Sequence, residues 1–456
     1  MSSRSWSCSI SSKGEKVWKT TLPPDYERSY TFQTLCLPGL PSSAHGGLGW
    51  DGSTPISCLV NKSHLDALLA ALPPTFCVIP QALSPIREED QLHEVRKTKI
   101  KGEGLFATRS IEEGQLILWE HPAIILPSTD REFNKEIYED LGKAVASASD
   151  KELNTRWLRR QAEATKMANE YEGDGGCDTW IEGVVRTNAI VLDLIEGPKM
   201  QQSKKKPPQH DKDGQKEIYG GIYPLINRAN HSCAPNASVK WDRSTLSASL
   251  YALRDIEEGE EIFKTYVNPL LPRAIRLKTL NKNYKFLCDC AHCNLEGKLA
   301  VSSNEVALVA ESDANRELLA TWIFTQPTYK KWSTDLCRAD NLFIKSHMDA
   351  LALIEKEGVY ALQAIFIEEL AMAHAMLGDL EGFKKWGERV RKLNRVEDPE
   401  LSRRFQDWLV YPEKRVRRWG WRKRMKEESN GRNAKGIGDV DIGLIFEPID
   451  SESEED

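Results

Sequence analysis

The chain has 456 residues, 40% of them hydrophobic, with 13 Trp and a net charge of −6. That length exceeds one compact domain and predicts two or three, while the apolar content supplies a sizeable core and excludes wholesale disorder. The negative balance removes any overall bias toward nucleic acid.

The opening residues carry charges but no apolar stretch of the signal-peptide kind, and no run of about 18 apolar residues follows, so neither export nor a membrane-spanning helix is expected. Cytoplasm or nucleus is the expected compartment. The ten Cys are then read as thiols or metal ligands rather than disulfides.

Residues 1–90 are rich in Ser, Pro and Gly and read as a loosely ordered extension, with one short amphipathic helix at 63–72. Beyond residue 95, LFATRSIEEGQLILWEHPAIIL predicts two short strands joined by a tight turn at 112–114. Residues 131–195 read as helical, and 196–217 as a polar, flexible surface insertion. Strands are predicted at 222–226, 238–241, 247–253 and 261–265, and a helix at 268–283. Residues 305–410 carry helical periodicity, including a helical hairpin about Gly378-Asp379. A basic run at 414–426 precedes an acidic end.

Four segments carry chemistry. Cys288, Cys290 and Cys293 place three thiols within six residues, which suits a tetrahedral soft-ligand site with zinc as the default metal. The local sequence lacks a fourth ligand; Cys233 is the best supplier and His292 the alternative. Gly102 and Gly104, in Lys101-Gly102-Glu103-Gly104-Leu105, let a backbone approach a ligand closely, but alone the pair is a weak signal and a plain β-turn is the favoured explanation. Asn230-His231-Ser232-Cys233-Ala234-Pro235-Asn236 demands a specific tight loop. Asp255–Ile262 followed by Tyr266 reads as a charged hairpin leading to a strand end, with Glu260 and Glu261 structural.

The order of these segments, GxGLFAxRxIxxG at 102–114, NHSCxPNA at 230–237, DIxxGEEIxxxY at 255–266 and YxFxCxCxxC at 284–293, resembles the SET-domain lysine methyltransferases. The helical tail resembles the SET-and-MYND subfamily, without its MYND finger, since no cysteine or histidine cluster interrupts 127–220. The resemblance implies an α+β protein. It would have a β-rich SET fold with a knot-like core, a helical insertion, a zinc-bound post-SET segment and an α-helical C-terminal domain. The implied divisions are 1–90, 91–295 with the insertion at 127–220, 300–427, and an acidic tail at 428–456.

The resemblance further implies S-adenosylmethionine as cofactor. The backbone of Lys101, Glu103 and Leu105, with Gly102 and Gly104, would hold its methionine part. Asn230, His231 and Asn188 would contact it, and Phe286 would stack on the adenine. Tyr266 would be the catalytic tyrosine, also lining the cofactor site, and Tyr284 would line the lysine channel. Cys233, Cys288, Cys290 and Cys293 would bind zinc. The expected partner is a protein presenting a lysine to a monomeric enzyme, with no membrane and no nucleic acid. A catalytically silent scaffold is the alternative. A nucleic-acid binder would rest on 204–206 and on 414–426 with Trp419 and Trp421.

Overall fold

The computed structural model describes residues 6–10, 16–20, 30–38, 53–61, 64, 67–68, 91–99, 101–127, 135–147, 179–194, 218–294 and 303–434. Among these, three sheets form the first part of the molecule and a helical array the second. The first sheet runs β1 (Trp6–Ile10), β2 (Lys16–Thr20), β3 (Tyr30–Pro38), β4 (Ser53–Asn61), β8 (Ile124–Pro127), β10 (Tyr219–Ile222) and β9 (Ile190–Leu192). The second orders β11 (Asn230–His231), β14 (Glu261–Lys264), β6 (Glu103–Ala107) and β5 (His93–Lys97). The third contains β12 (Ala237–Asp242), β13 (Ser247–Ala252) and β7 (Leu116–Glu120).

The N-terminal sheet strands correct the expectation of a loose extension over 1–90. Averaged composition hid short runs such as YTFQTLCLP and STPISCLVN, whose β-branched and aromatic residues suit a pleated surface. The Ser, Pro and Gly fall mostly between them. β4 pairs in parallel with β8 through Ser57↔Ile124 and Cys58↔Ile125, and Ile56, Leu59 and Val60 are fully buried. The helix expected at 63–72 falls largely outside the described residues, as does the insertion at 196–217.

The turn at 112–114 forms as predicted, closed by the Gln115 N–H on the Glu112 carbonyl at 3.0 Å. It does not make a hairpin, because β6 and β7 belong to different sheets. The turn instead lies beside a twin of itself: Ile111 bridges Ile256, and Ile256-Glu257-Glu258-Gly259 repeats Ile111-Glu112-Glu113-Gly114. Gly114 (φ +74) and Gly259 (φ +80) both take the left-handed conformation these turns require.

Two helices of the insertion are described, α1 (Lys135–Ser147) and α2 (Trp180–Asn188). α3 (Arg273–Tyr284) begins five residues later than predicted, because Pro272 occupies its N-cap position. The helical array follows: α4 (Ser303–Thr325), α5 (Tyr329–Thr334), α6 (Asp340–Glu357), α7 (Gln363–Leu377), α8 (Leu380–Glu397), α9 (Pro399–Val410), α10 (Pro412–Arg415) and α11 (Trp421–Ala434). The α7–α8 hairpin turns at Gly378 (φ +69), and Asp379 caps α8 by accepting from the Gly382 N–H at 3.0 Å. Its core gathers Phe383, Phe405, Trp332 and Ile367, all fully buried. Burial of each such side chain contributes about 1.5–3 kcal/mol. α11 continues to Ala434, past the expected boundary at 427.

The basic run at 414–426 is partly internal. Arg422 is fully buried, its guanidinium 4.2 Å above the Trp332 ring and its Nε 2.7 Å from Asp340 Oδ1. It also donates to the carbonyls of Ser333 at 3.2 Å and Asp335 at 2.9 Å, closing the end of α5. Trp419 packs edge-on against Phe383 at 5.4 Å. These side chains are committed to the helical core, which removes them from the phosphate-tracking role considered above; 204–206 lie outside the described residues.

The helices dock on the sheets at the first of the twin turns. Arg389 pairs with Glu113 at 2.8 Å, and a Cβ on Gly114 would lie 1.9 Å from the Lys392 carbonyl oxygen. Around Gly259 a Cβ would meet nothing within 4 Å. Gly259→Ala is therefore expected to cost only the left-handed backbone penalty, about 1–2 kcal/mol. Gly114→Ala adds a clash with rigid backbone and is expected to cost at least twice as much. Thermal unfolding of the two variants side by side checks this: equal losses would remove the docking contact from the account.

Candidate active site

The second sheet assembles the site. β14 lies between β6 and β11, antiparallel to the first (Ile262↔Leu105) and parallel to the second (Asn230↔Phe263, His231↔Lys264). Chain positions near 104, 230 and 262 thus lie side by side in one sheet. Asn230 Nδ2 donates to the Glu103 carbonyl at 3.1 Å and to Glu261 Oε1 at 2.8 Å. Both amide hydrogens are thus committed, and the side-chain carbonyl of Asn230 remains as an acceptor. A Cβ at Gly104 would sit 2.7 Å from Glu261 Oε1 and 3.0 Å from Asn230 Nδ2, so only glycine lets these strands close. Arg228, buried, pairs with Glu103 at 3.0 Å.

The Lys101–Leu105 segment divides by role. The Lys101 N–H is used by Thr98 Oγ1 at 2.8 Å, and the Gly102 carbonyl accepts from the Thr98 N–H at 2.7 Å. Leu105 is a core position, fully buried and paired with both Val95 and Ile262. The Lys101 ammonium reaches Asp289 in the cysteine segment at 3.2 Å and lies 4.9 Å from the Phe263 ring. The two ends of the site are thereby joined.

An aromatic group follows β14. Tyr266 has ring centroids of His231 at 5.3 Å, Tyr284 at 5.0 Å and Phe286 at 6.4 Å around it. Its hydroxyl donates to the Ala229 carbonyl at 3.1 Å, and Tyr284 donates to the Tyr266 carbonyl at 3.4 Å. Burial, with the charges of Tyr284 and Glu261, pushes the Tyr266 phenol well above its ordinary range. The Tyr266 N–H donates to His231 Nδ1 at 3.0 Å, which leaves the ring proton on Nε2, 3.4 Å from Cys233 Sγ. Burial drives His231 down to about 4, so the ring is neutral near pH 7.

Against the Tyr266 ring lies a buried titratable side chain that the sequence did not reveal, coupled to a second. The Lys264 ammonium is buried 5.0 Å from the Tyr266 ring centroid, and burial, opposed by Glu120, lowers it to about 7. Glu120 is buried too and raised to about 8, against the pull of the Ile226 and Leu225 N–H groups.

The four cysteines converge. Cys233, Cys288, Cys290 and Cys293 place their sulfurs within 4.8 Å of one another, with Cys233 and Cys293 at 3.5 Å. Zn–S bonds of about 2.3 Å in a tetrahedron put sulfurs about 3.8 Å apart, so this donor set fits one zinc ion with no open position. Cys233 is the fourth member; His292 turns toward Glu357 instead, at 3.9 Å. Hydrogen bonds from the other three thiols hold Cys290 far below its ordinary range, and those same contacts push Cys288 up. Four thiolates can coexist only around a cation.

Asn188 is tied to the short turn at Ile226–Arg228 that precedes Asn230. Its main-chain carbonyl accepts from Asn227 Nδ2 at 2.6 Å, and its own Nδ2 donates to the Val184 carbonyl at 2.9 Å. Asn227, Arg228, Glu120, Lys264, Arg276 and Arg316 were not anticipated. The long-range partners of Asn227, Arg228, Glu120 and Arg316 are distant in sequence, and only the position of Lys264, on β14 just before Tyr266, offered a local signal.

A SET domain is matched over residues 102–267. Histone-lysine N-methyltransferase set5 of Schizosaccharomyces pombe is 26% identical over 208 residues, 46% of this chain and 52% of that protein. N-lysine methyltransferase SMYD2-B of Danio rerio is 31% identical over 190 residues, 40% of this chain and 42% of the relative. Histone-lysine N-methyltransferase SMYD3 of Homo sapiens is 42% identical over 82 residues, 18% of this chain and 19% of the relative. The chain thus spans about half or less of the length of these relatives. With the strands and side chains of 102–267 gathered in this order, this part of the chain is similar to a SET domain, and the chain is similar to the SET5 and SET-and-MYND lysine methyltransferases.

Proposed function

We propose that the protein is an S-adenosylmethionine-dependent protein-lysine N-methyltransferase, acting on a histone or another protein. The observation that carries this is the juxtaposition of Tyr266, its hydroxyl held on the Ala229 carbonyl, with Asn230 and the Gly104 strand on one side and Tyr284 and Phe286 on the other. The names of the relatives support lysine in histones or other proteins as the acceptor. We place the activity in cytoplasm or nucleus. No helix among the described residues is long and apolar enough to cross a membrane.

The residues present suit the cofactor. Asn230 offers an acceptor for an ammonium, Phe286 a half-buried aromatic face for a base, and Glu103 and Lys101 flank the strand between them. When bound, S-adenosylmethionine supplies a methyl group on a positively charged sulfur. The acceptor lysine must present a neutral amine, and with an ordinary pKa of about 10.4 its neutralisation near neutral pH costs roughly 4 kcal/mol. Tyr266 and Tyr284 would line a channel poor in water, where desolvation favours the neutral amine. Tyr266 stays protonated, so its hydroxyl orients the reactants rather than removing a proton. His231, neutral and hydrogen-bonded on both nitrogens, fixes the Tyr266 backbone. Alignment supplies the larger part of the rate.

The zinc site sits outside this chemistry. Four cysteines leave no position for substrate, so the ion would hold the segment carrying Tyr284 and Phe286 against Tyr266.

Incubation of the full chain with labelled cofactor and a whole-cell lysate tests the proposal. Tyr266→Phe is expected to lower transfer at least about 100-fold while cofactor affinity, measured by calorimetry, changes little. Asn230→Ala is expected to weaken cofactor binding by about tenfold or more, through loss of a charge-assisted contact. Wild-type labelling no stronger than that of Tyr266→Phe would leave the scaffold reading. Separately, Cys290→Ser is expected to lose zinc by elemental analysis and to weaken cofactor binding; full zinc content with unchanged affinity would detach the ion from the pocket.

A further inference from the structure

Glu120 and Lys264 are buried and titratable, and the chemistry proposed above uses neither. Glu120 ends β7. Its Oε1 accepts the Leu225 N–H at 2.9 Å and the Ile226 N–H at 2.5 Å. Those amides open the turn Ile226–Arg228, which closes with the Ala229 N–H on the Ile226 carbonyl at 3.2 Å. The Ala229 carbonyl in turn accepts from the Tyr266 hydroxyl at 3.1 Å. One buried carboxyl group therefore fixes the turn that supplies the acceptor of the phenol. Lys264 meets the same tyrosine at its ring: it stands two residues before Tyr266, with its ammonium 5.0 Å from the ring centroid.

The groups around this couple leave it as the part that titrates near neutral pH. Burial raises Glu120 to about 8, outweighing the two N–H bonds and the charges of Arg228 and Lys264. Burial lowers Lys264 to about 7 against the pull of Glu120. Arg228, in the turn, is paired with Glu103. Tyr223 is pushed up by burial and by Glu120, and Tyr266 by burial, Tyr284 and Glu261, so both phenols keep their protons. His231, which faces Lys264 from β11, is neutral near pH 7. Two coupled groups share their titration steps. With two protons the couple is net positive, with one it is neutral, and with none it is net negative.

We infer that Glu120 and Lys264 are a positioning couple for Tyr266: Glu120 fixes the turn that brings the Ala229 carbonyl to the phenol, Lys264 packs against the ring, and the hydroxyl stays in register only while the couple carries no net charge. With a proton too many or too few, an uncompensated charge is buried beside Tyr266, and the interior relieves it by moving side chains or admitting water. The inference deepens the proposed function and rests on it for the role of Tyr266 in aligning the reactants.

Two measurements on the full chain test it. In the first, 3-fluorotyrosine replaces tyrosine, and the fluorine resonance of Tyr266, identified by its loss in Tyr266→Phe, is followed from about pH 6 to about pH 9. The wild-type resonance is expected to shift in steps near 7 and 8. Glu120→Gln and Lys264→Met are each expected to remove the steps, because the buried group left alone stays neutral over this range. A wild-type resonance that does not move, or one that moves alike in all three proteins, overturns the inference; should one variant not fold, the other carries the comparison. The second measurement is the pH profile of kcat at saturating cofactor. The neutral fraction of an acceptor lysine rises about tenfold per pH unit up to about 10.4, so the acceptor alone makes the rate climb through pH 8. The wild type is expected to level off and fall above about 8, and the folded variants to go on climbing. A wild-type rate that climbs as theirs does overturns the inference. If the wild type transfers no methyl group while its resonance titrates as described, the proposed function fails and the positioning of Tyr266 by the couple stands.

Discussion

Closure of the chain between Cys233 and Cys288 is the constraint on which the site depends. Every aromatic residue proposed to line the reaction, Tyr266, Tyr284 and Phe286, lies inside that loop. The strand pairing that starts the loop is minimal: β11 contributes two residues, Asn230 and His231, to its partner β14. Two paired residues cannot by themselves hold a loop of this length, since closing it carries an entropy cost that a short ladder does not offset. The convergence of four sulfurs supplies the missing anchor, and the Lys101–Asp289 pair draws the closed end toward the glycine strand. The pouch is thus a consequence of two closures, one by backbone hydrogen bonds and one by thiols.

What the closed loop encloses is weakly basic by construction. Burial keeps Tyr266 protonated and His231 neutral, and both side chains are hydrogen-bonded to protein. Neither Tyr266 nor His231 is therefore poised as a strong base, which agrees with the proposed chemistry, in which the acceptor arrives neutral and is aligned rather than deprotonated. Against the Tyr266 ring, Lys264 shares with Glu120 a buried environment that drives each toward its neutral form. The electrostatics of the site are set by desolvation first and by individual charges second.

Sequence reasoning reached the parts of this arrangement that are coded locally. The cysteine triplet, the tight loop at 230–236, the glycines at 102 and 104 and the helical hairpin about Gly378 each have short-range signatures, and Cys233 was the preferred fourth ligand. Two kinds of feature escaped. Strands β1–β4 were lost because a composition averaged over 90 residues dilutes runs of five to nine. The buried arginines were lost because an arginine in a polar helix such as RAIRLKTLNKNY looks like any solvated one until the fold places it. Arg228, Arg316 and Arg422 are each accommodated by partners far away in sequence or by carbonyls at element ends, and neither is visible in a local window. The same reason made the run at 414–426 resemble a nucleic-acid surface.

The helical array is more than an appended module. Arg316, on α4, donates to the Cys233 carbonyl and is held there by Glu357 at the end of α6. The next residue, Gly358, has φ +64, and a Cβ on it would fall 2.3 Å from the Cβ of Ala234, beside the metal ligand. The α6 terminus is therefore packed against the loop that supplies the fourth thiol, with no room for a side chain. A second contact ties α8 to the turn at Gly114, and a third places the Gln363 amide on the Leu253 carbonyl. Contacts this close fasten the helices to the sheets at three separated places, the first of them against the loop that carries Cys233. A scaffold function for the array and the proposed catalytic function of the sheets would then share a single structural basis, because a displacement of α6 would be felt first at Cys233.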